Sequence, residues 1–351
     1  MDRVLHDTAY AASGKAMSLT RRPHGTPRSA TGVPVARRTR MTADSPVALR
    51  GPRPVSVLKT CLLSKGTHAA RQSMKRPLLV VDGDSFAHRA YHALPKSIRR
   101  KGNRGGGAIV GFANLLLRLF ENEQPRAVLV GWDTLDSPNF RQRLFPSYQS
   151  GRQFDDELVA QLNELPEFVA ACGFASAKAP GYEADDFLAA AVAWEERRHG
   201  TVLVASGDRD AFQLASDATT ILHPVKAGEM ARIGPAEVGE RYGVEPRQVP
   251  DFIALRGDPS DKLPGARGVG PKGAAALLHR YGNLEQALAD ARLAGQAEEL
   301  KLYKKIATMD ATAPLPALAD QSPDWRSAAT LARDWELNAL ARRLDELAAV
   351  R

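Results

Sequence analysis

Nowhere in these 351 residues does an unbroken apolar run reach the roughly 20 residues that a membrane-spanning helix needs. An α-helical membrane protein is therefore excluded. Cysteine is almost missing. Cys61 and Cys172 cannot build a disulfide framework, and neither has a second Cys or a His at metal-ligand spacing. A reducing cytoplasm is the expected setting, and Cys172 reads as a buried helix residue. Acidic residues are scarce in one place only: residues 1–76 hold fifteen Lys or Arg against Asp2, Asp7 and Asp44, a net of +12. The whole chain carries +8, so residues 77–351 are mildly acidic at −4. Any polyanion must then be held by local basic patches and by cations, because the overall field of that part repels it.

Residues 1–76 lack apolar periodicity and are rich in Pro, Arg, Ser, Thr and Gly, so they cannot bury enough surface to offset the entropy of ordering. A disordered basic tail is expected there. Three readings of it stay open. It is an arm that raises non-specific affinity for nucleic acid, an Arg- and Ser-rich targeting segment, or sequence upstream of a start at Met74, which opens Met-Lys-Arg-Pro directly before the first strand.

From residue 77 the pattern is regular. Leu78 to Val81, Ala127 to Val130 and Thr201 to Val204 are short apolar runs that predict buried parallel strands. Helices are predicted between them over Ala108–Phe120, Asp155–Cys172 and Ala184–His199, the last stopping at Gly200. Such alternation predicts a doubly wound α/β domain, in which functional groups gather outside the carboxyl ends of the strands. After about residue 245 no strand pattern remains, and a helical segment punctuated by Gly and Pro takes over.

Acids stand at each of those strand ends. The first run leads into Asp82, the second reaches Asp133 and the third reaches Asp208 and Asp210. Glu183, Asp185 and Asp186 open a helix, and Asp258 and Asp261 share a tight turn. One acid after a strand is an ordinary turn or cap residue. The whole set on one edge would repel strongly, and hard divalent cations with oxygen ligands offset that cost. Mg²⁺ or Mn²⁺ suits such a site.

With these residues in view, the sequence resembles the bacterial and phage 5′→3′ exonuclease (flap endonuclease) family, which includes the N-terminal domain of DNA polymerase I. The resemblance rests on Leu79-Val-Val-Asp82-Gly-Asp-Ser-Phe-Ala-His-Arg89, Phe140-Arg141, Gly181-Tyr-Glu-Ala-Asp-Asp186, Ser206-Gly-Asp-Arg-Asp210 and Gly257-Asp-Pro-Ser-Asp-Lys-Leu-Pro-Gly-Ala-Arg-Gly-Val-Gly-Pro-Lys272, in order over roughly residues 77–310. It implies a PIN-like catalytic domain over residues 77–245, then a helix–three-turn–helix DNA-binding region and a C-terminal helical region over 246–351. It also implies a nuclease standing alone, since the chain ends after an amphipathic stretch near Trp335 to Val350.

Two Mg²⁺ or Mn²⁺ ions follow from the resemblance, one held by Asp82, Asp133, Glu183 and Asp185, the other near Asp186, Asp208, Asp210, Asp258 and Asp261. Paired metals suit phosphodiester hydrolysis without a His or Lys base, and His88 and His92 are expected to be packing or substrate-side residues. The implied partner is branched, nicked or 5′-flap DNA, with RNA in the 5′ strand also compatible, bound by a monomer away from membranes. Arg89, Arg141, Arg143 and Arg152 would face the DNA, and Tyr148 would stack on a base. Gly265, Gly268, Gly270 and Lys272 form the expected phosphate-binding hairpin, whose carbonyls in the family hold a monovalent cation such as K⁺. Lys96, Arg99, Arg100, Lys101 and Arg104 form a second basic loop, read as either a phosphate clamp or a solvated loop. Gln149 stands where the family usually has lysine. The expected role is primer removal or DNA repair. The rival readings are a PIN-like ribonuclease, against which the glycine hairpin speaks, and a non-catalytic branched-DNA-binding protein, which would have lost ligand acids.

Overall fold

The computed structural model describes residues 76–350 apart from 136, 226 and 227; the expected tail, Arg76 excepted, and Cys61 lie outside the described residues. Along the chain come β1 (Leu78–Asp82), α1 (Gly83–Ala93), a small hairpin of β2 (Arg99–Arg100) and β3 (Arg104–Gly105), α2 (Gly107–Glu123) and β4 (Ala127–Gly131). There follow α3 (Phe140–Leu144), α4 (Asp156–Ala171), β5 (Ala175–Ala177), α5 (Ala184–Glu196), β6 (Val202–Ala205), β7 (Thr219–Pro224), β8 (Met230–Ile233) and α6 (Pro235–Tyr242). Six strands form one sheet in the order β5-β4-β1-β6-β7-β8, parallel except for β8.

The three apolar runs form its centre, β1, β4 and β6, and every residue in them is buried. Period-two side-chain alternation sends their residues into two cores. Leu79, Val81, Val128, Val130 and Leu203 pack with α1, α2 and α4, while Leu78, Val80, Leu129 and Val204 pack with α5 and the later helices. The sheet is therefore covered on both faces, as a parallel sheet requires. Sequence patterning missed β5, β7 and β8. β5 is only three residues long, and β7 and β8 mix polar with apolar residues near an edge.

The register aligns the strand ends. Asp82 pairs with Gly131 and Val81 with Ala205, so Asp82, the loop to Asp133 and the loop to Asp208 leave the sheet side by side. Gly131 lets α5 close in: a Cβ there would lie 2.8 Å from the Ala184 carbonyl oxygen. That contact brings the acids at the start of α5 to the same edge.

Past residue 244 the elements are α7 (Val249–Arg256), α8 (Pro271–Tyr281), α9 (Leu284–Ala287), α10 (Ala297–Ala307), α11 (Trp325–Asp334) and α12 (Asn338–Ala349), with no strand among the described residues. α7 is buried along most of its length and packs on α8 and α10. The turn after it closes through paired backbone bonds between Asp258 and Leu263, 2.9 and 2.8 Å. Gly257 and Gly265 make that turn possible, with φ of +82° and +73° and backbones so close that a Cβ on Gly265 would lie 2.4 Å from the Gly257 nitrogen. The C-terminal stretch is more than an appendage. α11 and α12 bury Trp325, Ala329, Leu340 and Leu344 in the core of α2 and α4, and Trp325 meets the rings of Phe120 and Phe174. Cys172, just past α4, is fully buried. No helix among the described residues is long and apolar enough to cross a membrane.

Candidate active site

Asp82 ends β1 and caps α1. Its Oδ1 accepts the Ser85 N–H at 2.9 Å and its Oδ2 accepts the Ser206 hydroxyl at 2.7 Å, which ties β1 to the loop after β6. Ser206 Oγ in turn accepts the Asp208 N–H at 3.0 Å, and Asp208 accepts the Asp210 N–H at 2.9 Å. Asp133 accepts the Ala184 N–H at 2.8 Å, locking the β4 loop to the first turn of α5. Across the cleft Asp258 accepts the Ser260 N–H at 2.8 Å and pairs with Arg256 at 2.9 Å. Asp82, Asp133, Glu183, Asp185, Asp208, Asp210 and Asp258 thus line one cleft of about 570 Å³, together with Asp84, Ser85, His88, Gln149, Arg152, Phe154, Arg209 and Arg256. Asp261 sits beside it, accepting from Gln149 at 2.9 Å.

Such crowding makes ionisation costly. Burial holds the Asp82 carboxyl up at about 7, with Asp133 and Asp208 adding repulsion against the opposing bonds from Ser85 and Ser206. Glu183 is raised to about 7 by burial, although Arg141 opposes the shift. Burial and neighbouring acids push Asp84, Asp185 and Asp210 well above the carboxylate range, and burial also raises Asp133 and Asp261. Asp185 and Asp210 are only half-buried at the cleft surface, yet protein crowds them closely. Their carboxylates have no hydrogen bond or ion pair among the described residues. An all-oxygen donor set under this much repulsion fits hard divalent cations. Among the described residues, no three such groups converge closely enough to enclose an ion.

Three expected site residues are placed differently. Asp186 has no exposed surface, and both its oxygens bond the Arg141 guanidinium, at 2.7 and 3.0 Å, so it does not face the cleft. Arg141 is 3% exposed and also bonds Glu183 at 2.6 Å and the Ile306 carbonyl at 2.9 Å, so its guanidinium points into the protein. Tyr148 is 5% exposed, its hydroxyl 3.2 Å from Glu183, and offers no face for a base. A sequence shows charge but not direction. These side chains form the wall behind the acids because an unpaired carboxylate cannot be buried there.

Arg89, Arg143, Arg152 and Lys272 are exposed. Gly268 and Gly270 have open space where a Cβ would stand, unlike Gly265. α8 starts at Pro271, and its N-cap Gly270 gives no side-chain cap, so the N–H groups of Lys272 and Gly273 are open to an anion. The loop of residues 96–104 is tied down: Arg99 pairs with Glu157, and Arg100 and Arg104 share Glu164 on α4. Asp84 was missed. It lines the cleft and accepts the Asp133 N–H at 2.8 Å, and its place two residues after Asp82 was the available signal. Arg256, next to Gly257-Asp258, was missed as well.

A mostly parallel α/β layer with an acidic cleft at its strand ends, followed by a helical domain with a glycine turn between α7 and α8, defines a class of nuclease fold. Two family models match it: "5′-3′ exonuclease, N-terminal resolvase-like domain" over residues 77–243 and "5′-3′ exonuclease, C-terminal SAM fold" over 244–333. The chain is 37% identical over 239 residues to a 5′-3′ exonuclease of Mycobacterium tuberculosis, covering 62% of this chain and 74% of that one. It belongs to the 5′-3′ exonuclease family, whose members are metal-dependent nucleases. It is also 41% identical over 213 residues to DNA polymerase I of Mycobacterium bovis, 60% of this chain but only 24% of that one, so it spans about a quarter of the polymerase. The fold is shared with the T5 5′-exonuclease solved with zinc ions (TM-score 0.57, 18% identity, 77% of this chain and 99% of that one). It is shared too with the Rad2 catalytic core in complex with DNA substrate (TM-score 0.54, 14% identity, 78% and 92%).

Proposed function

We propose that this chain hydrolyses DNA phosphodiester bonds as a structure-specific 5′→3′ exonuclease and 5′-flap endonuclease, in primer removal or DNA repair in the cytoplasm. The carrying observation is the single cleft lined by acids from β1, the loops after β4 and β6, the start of α5 and the 258–261 turn. Asp82, Asp133, Glu183 and Asp185 would hold one divalent ion, and Asp208, Asp210, Asp258 and Asp261 another, each set drawing in from its present spacing once an ion offsets the repulsion among the acids. Mg²⁺ or Mn²⁺ bound there supplies the charge that activates water and stabilises the leaving oxygen. Asp186 is left out of the set because Arg141 takes both its oxygens.

The chain's own residues do the positioning. Ser85 and Ser206 fix both oxygens of Asp82, and Arg152 and Arg209 bring positive charge to the cleft where phosphate would lie. The open backbone at Gly268 and Gly270 and the uncapped start of α8, with Lys272 beside it, support a duplex-phosphate contact. K⁺ on the carbonyls of the 265–270 hairpin is part of the same proposal. Branched, nicked or 5′-flap DNA is the proposed partner, bound by a monomer. The test is cleavage of end-labelled 5′-flap, nicked and single-stranded substrates with Mg²⁺, Mn²⁺ or EDTA. Cutting should need the metal and favour the flap, and robust cleavage in EDTA would sink the proposal.

A further inference from the structure

Gln149 lies at the joint between the two acid groups of the cleft. Its Nε2 donates to Asp261 Oδ1 at 2.9 Å and to the Tyr148 hydroxyl at 2.8 Å, and that hydroxyl donates to Glu183 Oε2 at 3.2 Å. Its Oε1 accepts from Arg152 Nη1 at 2.7 Å. One neutral amide thus links an acid beside α5 with an acid of the 258–261 turn and fixes the nearest cation. Asp261 Oδ1 also pairs with Arg152 Nη2 at 3.7 Å, and Asp261 Oδ2 accepts no hydrogen bond among the described residues.

The backbone gives an independent sign of constraint. Gln149 has a φ of +49° and Lys262, opposite it, +58°, and Lys262 Nζ donates to Ser150 Oγ at 3.0 Å. Left-handed conformations at non-glycine residues persist only where the surroundings over-determine them. The side-chain chemistry is equally restrictive. Glutamate could accept from Arg152 but not donate to Asp261, and lysine could donate but not accept. An amide does both without adding charge.

We propose that Gln149 is a positioning residue that holds Asp261 and Glu183 at a fixed spacing across the cleft and orients Arg152 toward it. This inference rests on the reading of the cleft as a divalent-metal hydrolytic site. Partners that orient metal ligands change metal affinity or activity by about 10–100-fold when removed.

The test is calorimetric titration of the full chain with Mn²⁺, together with kcat and KM on a 5′-flap substrate. Gln149→Ala should weaken one Mn²⁺ site by about 10–100-fold and lower kcat with KM unchanged. Gln149→Lys, which keeps the donors, should retain Mn²⁺ affinity, and Arg152→Ala should lose less kcat in that background than in the parent, because the Gln149 acceptor is already gone and only the 3.7 Å pairing of Arg152 with Asp261 remains. A Gln149→Ala chain with parental Mn²⁺ affinity and kcat, altered only in melting temperature, would overturn the inference. So would Gln149→Lys losing Mn²⁺ as severely as Gln149→Ala. A parent chain that binds no Mn²⁺ and does not cleave would overturn the underlying reading as well.

Discussion

Replacing Arg141 with methionine separates two roles for one residue. Its guanidinium is almost wholly buried and bonds Asp186 at 2.7 and 3.0 Å, Glu183 at 2.6 Å and the Ile306 carbonyl at 2.9 Å. Arg141→Met leaves Asp186 fully buried with only the backbone N–H groups of Glu183 and Asp310, at 3.0 and 2.8 Å. Removing one partner of a buried ion pair costs about 3–5 kcal/mol, because the remaining charge has no compensation. For a domain of this size that is on the order of a 10 °C fall in melting temperature. Adding Asp186→Leu removes the orphaned charge, so the double variant should recover most of the loss. A double-mutant cycle should then return a coupling of several kcal/mol. Thermal and urea unfolding in EDTA measure these effects, and fluorescence anisotropy with flap DNA across a salt series measures the alternative. Were Arg141 a phosphate contact, stability would hold and the salt slope of binding would fall by about 1. A destabilisation under ~1 kcal/mol with a flattened salt slope would refute the buried clamp, since a broken buried pair cannot be that mild.

Asp82→Ala and Asp208→Ala should each abolish cleavage while flap-DNA binding survives, since basic contacts supply affinity; normal cleavage by both would make these acids structural. Gly265→Ala should destabilise the chain by more than ~1 kcal/mol, because a methyl group would collide with the backbone of Gly257. Gly270→Ala, at a φ of −90° in open space, should fold normally and weaken duplex binding; equal unfolding midpoints for the two variants would contradict this. Raised carboxyl pKa values set the pH dependence. Asp82 and Glu183 titrate near 7 when folded and near 4 when unfolded, so their stabilising contribution is full at low pH and lost as pH rises through about 7. Metal-free protein should therefore melt lower at pH 8 than at pH 6, and added Mn²⁺ should raise the melting temperature more at pH 8. A flat profile would rule out a crowded acidic cleft.

Much of this molecule was decided locally and so was legible in the sequence. A buried parallel strand needs a short apolar run, and the acid that follows falls at its carboxyl end, which is why Asp82, Asp133 and Asp208 could be assigned to one edge from spacing alone. Gly257 and Gly265 likewise marked a turn that other residues fit badly. β5, β7 and β8 were not legible, because short strands near a sheet edge carry little apolar periodicity. Nothing local showed that α11 and α12 complete the core of α2 and α4, a contact between segments some 200 residues apart. The direction of a charged side chain was beyond the sequence too. Arg141, Asp186 and Tyr148 carry the groups of a substrate-binding surface, yet they point into the wall behind the acids, because burying Asp186 requires a cation and only the folded chain brings Arg141 to it.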